Sequence, residues 1–159
     1  MAERRMISRK IATNAKLARV SLRANFLHLS CIPFIDRDGR MSGDEVTMKG
    51  RVVPLRDEIP LADIPALLAE LVEQGLIAWY EAEWKGVPKR AVYFPGFHDE
   101  QRGARFAREA DSEYPAYDSL STRSAFDRRE DSESSPGVVR EPSVRKEVKG
   151  REVKLMQVK

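Results

Sequence analysis

The chain has 159 residues, 42% of them hydrophobic and 33% charged, with a formal net charge of +3. This is room for one modest domain with an attached tail and excludes two full cores. No apolar run approaches the roughly 18 residues of a bilayer span, the opening residues lack a signal-peptide core, and the lone Cys31 can build neither an internal disulfide nor a thiolate metal site, so a soluble cytoplasmic protein with no membrane partner is expected.

Charge is unevenly spread. Residues 1–56 carry 12 basic and 5 acidic side chains, whereas residues 57–84 carry 7 acidic and none basic. Basic residues return over 85–110, six against three, and the remainder is balanced. Such segregation points to two faces with different partners, or to a surface compensated within the molecule.

Residues 1–20 open with RRMISRK, basic and without a clear apolar period, and read as a flexible arm. Ser21 can then cap a helix whose Leu22, Phe26 and Leu29 recur on one face, and Pro33 ends it. DRDGR makes a turn with Gly39 in the awkward backbone angles. A second short helix is expected from Asp44 to Val53, then a connector between Pro54 and Pro60. In the third helix Asp63 serves as N-cap, Pro65 falls in the first turn, and Ile64, Leu67, Leu68 and Leu71 form a buried stripe up to a Gly75 stop. LIAWYEAEW alternates as a strand, WKGVPKR loops around Gly86 and Pro88, and RAVYFPGF returns. Three helices followed by a β-hairpin predict an α+β fold, a winged helix-turn-helix over residues 21–110. Residues 111–159 are too rich in Ser, Pro, Asp and Arg to offset chain entropy, and a disordered C-terminal tail is expected there.

RRMISRKIATNAKLARVSLRANFLHLSCIPFIDRDGR, LLAELVEQGLI and YFPGFHDEQR together resemble a phage replication-protein family, the replisome organisers with an N-terminal winged helix. Pro33, Asp36, Gly39 and Arg40 match that family's Pro-x-x-Asp-x-x-Gly-Arg turn, and the likeness covers about residues 1–110. The resemblance implies initiation of phage DNA replication by binding double-stranded origin DNA and recruiting a host or phage helicase or its loader. Longer members carry a helicase-contacting domain after the winged helix, and the short polar end of this chain departs from that pattern.

Phosphate contact is expected from Arg4, Arg5, Arg9 and Lys10 on the arm, Lys49 and Arg51 on the second helix, and Lys85, Lys89 and Arg90 on the wing. Arg102, Arg105 and Arg108 would extend that footprint or fray in solvent. Trp84, beside the wing loop, either stacks on a base or covers the hairpin. The third helix is the element that enters the major groove in many such domains, yet its solvent side offers Glu70 and Glu73 and no cation. Those two residues are therefore assigned to a protein partner, a second subunit of a homo-oligomer, or solvent.

No catalytic constellation, cofactor loop or metal ligand set is found. Asp36, Asp38 and Gly39 have part of a calcium-loop spacing but lack its closing Glu, and His28 and His98 have no ligand neighbours at useful spacing. In the tail, KEVKG, REVKL and MQVK place Val148, Val153 and Val158 five residues apart, a period of neither helix nor strand. A repeated DNA unit of about fifteen nucleotides within the gene would produce it, as an origin embedded in the initiator's own gene would. A phage transcriptional regulator and a winged-helix protein-interaction module stand as the alternatives.

Overall fold

The computed structural model describes residues 5–101, 106 and 109–117, together with the backbone of residues 123 and 124. Arg4, Arg102, Arg105, Arg108 and the valine repeats lie outside the described residues. In chain order the elements are helix α1 (Leu22–Cys31), strand β1 (Arg40–Ser42), helix α2 (Glu45–Arg51), helix α3 (Ile64–Glu73), strands β2 (Ala78–Trp84) and β3 (Val87–Tyr93), a short helix α4 (Phe97–Glu100) and a two-residue strand β4 (Arg123–Ser124). The sheet is antiparallel in the order β1-β3-β2-β4. An α+β arrangement in this order is compatible with a winged helix.

Local chemistry explains most boundaries. The Ser21 hydroxyl accepts from the Ala24 amide to cap α1, and the Asp44 carboxylate accepts from Thr47 to cap α2. Helix α3 ends in a Schellman closure: Gly75, at φ +60°, donates to Val72 O and Leu76 donates to Leu71 O. Its stripe of Ile64, Leu67, Leu68 and Leu71 is buried as the periodicity requires, and it packs on α1 and α2.

Three details differ from the sequence reading. Helix α1 buries Ala24, Leu27 and Cys31 instead of the expected Leu22, Phe26 and Leu29 face, leaving Leu22 87% and Phe26 38% exposed. Both sets recur at helical spacing, so periodicity alone does not choose between them. Asp63 accepts no capping bond, because a 3-10 turn over Leu61–Asp63 already leads into α3 and its carboxylate pairs with Arg23. The hairpin loop is only two residues, Lys85 and Gly86, both with positive φ, so Pro88 lies within β3. Proline is tolerated there because β1 reaches only Ala91–Tyr93, leaving the free edge of β3 at Pro88 with no ladder partner to supply.

The sheet divides the molecule into two layers. Trp79 and Val92 face the helices and join the main core, with the Trp79 indole donating to Gly43 O at 2.9 Å. The opposite face carries Tyr80, Tyr93 and Lys89, and residues 112–117 lie against it. Tyr80 donates its hydroxyl to Pro115 O at 2.6 Å, Tyr117 stacks on Tyr93 at 5.5 Å, and Lys89 donates to Glu113 O. The start of the expected tail is thus part of the domain, since aromatic surface on that sheet face would otherwise meet water. The expected free arm is corrected as well: Arg5 is held by Glu109, and Leu17 enters the core.

Candidate nucleic-acid interface

The hairpin tip is an exposed basic element among those expected to touch DNA. Asn-Gly-like geometry, with φ +52° at Lys85 and +79° at Gly86, makes the tight turn whose twist matches the flanking strands. Lys85 is exposed at the tip, its ammonium 5.8 Å from the Trp84 ring centroid. Trp84 is half-buried at the last paired position opposite Val87, so it covers the end of the hairpin while keeping one side in solvent.

Lys89 and Arg51 flank the same aromatic ring. The Lys89 ammonium sits 4.9 Å from the Tyr114 ring centroid, and Arg51 lines a small recess with Tyr114 on the α2 side. Burial, with Glu113 nearby, pushes the Tyr114 hydroxyl above its ordinary range, so it stays protonated at neutral pH. Tyr114 was invisible as a site residue in the sequence, because it lies in what reads as tail.

Of the other expected contacts, Arg90, Arg5 and Lys49 are committed within the fold. Arg90 pairs with Glu45 at 2.8 Å and with Glu81 at 3.5 Å, clamping α2 to the hairpin. Arg5 is no phosphate ligand: its side chain is 2% exposed, bonded to Glu109 and Ile35 O, and lies against the Phe97 and Phe106 rings. Lys49 donates to Val53 O and Arg56 O, satisfying carbonyls beyond the α2 terminus. Lys10 pairs in solvent with Glu100 at 3.3 Å, and Arg9 is exposed beside it. The structure therefore brings Arg51 and Lys89 together about Tyr114, with Lys85 beyond them, and places Arg5 and Lys10 beside α4 instead.

Helix α3 presents Ala66 and Glu73 to solvent, with Ala62 exposed in the turn before it. Glu70 is not free on this face: its carboxylate accepts the Ser21 amide at 2.9 Å and so anchors the start of α1. Glu70 is half-buried and already hydrogen-bonded on this side, and Glu73 is its exposed carboxylate. Up to residue 117 the described residues carry 14 Lys and Arg against 16 Asp and Glu, so whatever attraction phosphate finds here is local.

The Asp36 carboxylate is used within its own turn. It accepts from the Asp38 and Arg40 amides at 2.9 Å each and from the Ser112 hydroxyl. Among the described residues no group of three His, Cys, Asp or Glu side chains is placed to hold a metal ion, and no helix is long and apolar enough to cross a membrane. Cys31 is buried, which raises its thiol to about 12 and leaves it inert. No protein-family model, curated protein or solved structure matches this chain.

Proposed function

We propose that this protein binds double-stranded DNA through its hairpin wing, with Lys85 at the tip and Lys89 and Arg51 behind it, and that α3 serves as scaffold. The observation that carries this reading is the tight Lys85–Gly86 turn, which holds an exposed ammonium at the tip of a two-stranded projection. Arg9 and Lys10 add charge elsewhere on the surface. The sequence resemblance favours a phage replication initiator or replisome organiser among DNA-binding proteins. In that role the wing marks an origin, and a helicase or its loader is recruited afterwards.

The test is fluorescence anisotropy of the purified chain on duplex from its own gene and on unrelated duplex, across a salt series. Binding with a log–log salt slope of roughly −0.9 per phosphate contact supports DNA docking, and preference for its own gene supports an internal origin. Equal weak binding with a shallow slope contradicts it. Reading the codons behind the valine repeats tests the origin separately: dissimilar codons with no common repeat count against it.

A protein-docking module is the second reading, favoured by the cation-free outward side of α3. Winged helices that dock proteins would use such a face, and Ala66 permits close approach of a partner. A transcriptional regulator would use the same wing, and the location of the bound site relative to promoters separates it from an initiator.

A further inference from the structure

A cleft of about 390 Å³ lies where residues 6–17 cross the end of α1 and residues 94–101. The cleft is half-open to solvent, with a buried apolar floor and a polar rim. It is also within the range of small-molecule sites. Ile11, Leu17, Ile32, Ile35, Phe94 and Phe97 are among the apolar residues of its wall.

The polar groups around it are few and mostly spoken for. Gln101 grips the Met6 backbone twice, accepting from its amide at 3.0 Å and donating to its carbonyl at 2.7 Å. Lys10 and Glu100 neutralise each other at the rim. His28 is the exception. Its imidazole lies tilted against Phe94 at 5.5 Å but makes no hydrogen bond among the described residues, and its Nδ1 is buried. A buried polar nitrogen without a partner is costly, and because the His28 ring lines the cleft, a small turn of that ring would bring the nitrogen within reach of a ligand group or water.

We infer that this cleft is a binding site for an uncharged, largely apolar small molecule carrying one hydrogen-bonding group, which lodges against the aliphatic wall with its polar end toward His28. An ion finds no unpaired charge in the wall to hold it. A folded partner cannot enter a space of this size, although a single inserted side chain could. The segment that closes the cleft, residues 6–17, is tied down by Gln101 and by the Lys10–Glu100 pair, so a ligand enters beside this strap without unfolding the core. This inference stands apart from DNA binding and survives its failure.

The probe is N-phenyl-1-naphthylamine, uncharged and fluorescent only when shielded from water, titrated into the full chain without DNA. A saturable rise in emission at one molecule per chain is expected, with amide shifts at Ile11, His28 and Gln101 in the ¹H–¹⁵N spectrum. Ile11→Trp and Ile32→Trp fill the cleft from opposite walls, and each should weaken binding at least tenfold. Phe26→Ser, which alters the separate exposed groove of Leu22, Phe26 and Ile59, should change it less than twofold. Should both filling variants unfold, the amide shifts of the unaltered chain decide alone. Absence of saturable emission, shifts confined to the Phe26 groove, or undiminished binding by a folded filling variant would overturn the inference.

Discussion

Arg5 and Glu109, 104 residues apart, join in a two-pronged ion pair with N–O distances of 2.7 and 2.6 Å. The guanidinium lies against both the Phe97 and Phe106 rings and also donates to Ile35 O, so one side chain ties the first described residue to α4 and to the chain beyond it. The hydrogen bond from Arg5 holds the Glu109 carboxyl below its ordinary range. Arg5→Met should cost about 2 kcal/mol, since it leaves a partly shielded carboxylate and a carbonyl without their donor. Chemical denaturation at neutral pH measures this. Because the folded carboxyl is depressed, the pair's contribution is present above the unfolded value of 4.5 and is lost as pH falls through the folded one. Arg5→Met and the unaltered chain should therefore converge in stability in acid.

Gly43 admits no side chain. A Cβ there would stand 2.8 to 2.9 Å from the Ala91 backbone, where β3 passes beneath the start of α2. Backbone atoms in a paired strand cannot retreat as a flexible side-chain end would. Gly43→Ala should lose about 3 kcal/mol by overpacking, whereas Gly50→Ala, with open space around it, should be stabilising by a few tenths to about 1 kcal/mol. Thermal unfolding of the two variants side by side checks the contrast.

His28 gives the fold an acid sensitivity. Burial lowers its imidazole from 6.5 to about 4. Above pH 6.5 both folded and unfolded chains hold it neutral, and its full contribution is present. Between pH 6.5 and 4 the unfolded chain takes up a proton that the folded chain refuses, so stability falls. The loss reaches about 2 kcal/mol once partial exposure of the ring is allowed for. His28→Leu should remove that part of the slope, and the His28 ring proton in NMR should stay unshifted well below pH 6. A midpoint near 6.5 would contradict the burial argument.

Residues 112–117 belong to the domain. A chain ending at Ala110 would uncover Tyr80 and Tyr93 and lose the Tyr80 hydroxyl bond to Pro115 O. It should unfold at lower denaturant than a chain ending at Ser124, and Tyr80→Phe alone should cost about 1 kcal/mol. Equal midpoints for the two truncations would return these residues to the tail.

These relationships divide what the sequence discloses from what it conceals. The stripe of α3, its Gly75 closure and the order of helices before a hairpin follow from local chemistry and were legible. Strand β1 was not, because three residues are too few to show alternation and its pairing with Ala91–Tyr93 is a long-range event. The buried face of α1 was misread because Leu22, Phe26 and Leu29 recur at helical spacing as Ala24, Leu27 and Cys31 also do, and tertiary fit, not periodicity, selects the buried side. Basic residues were legible as charge but not as availability. Arg5 and Arg90 find their partners at Glu109 and Glu45, 104 and 45 positions away, beyond the reach of any spacing argument. The same holds for Glu70, whose partner Ser21 is 49 residues earlier.

The central claim is that the wing, and not the outward side of α3, meets DNA. Duplex-binding anisotropy of Lys85→Glu and Glu73→Gln at several salt concentrations tests it most directly. The account predicts about tenfold weaker binding and a salt slope smaller by about 1 for Lys85→Glu, with Glu73→Gln within about twofold of the unaltered chain. Unchanged affinity for Lys85→Glu together with tighter binding by Glu73→Gln would contradict it, and would place α3 against the phosphates instead.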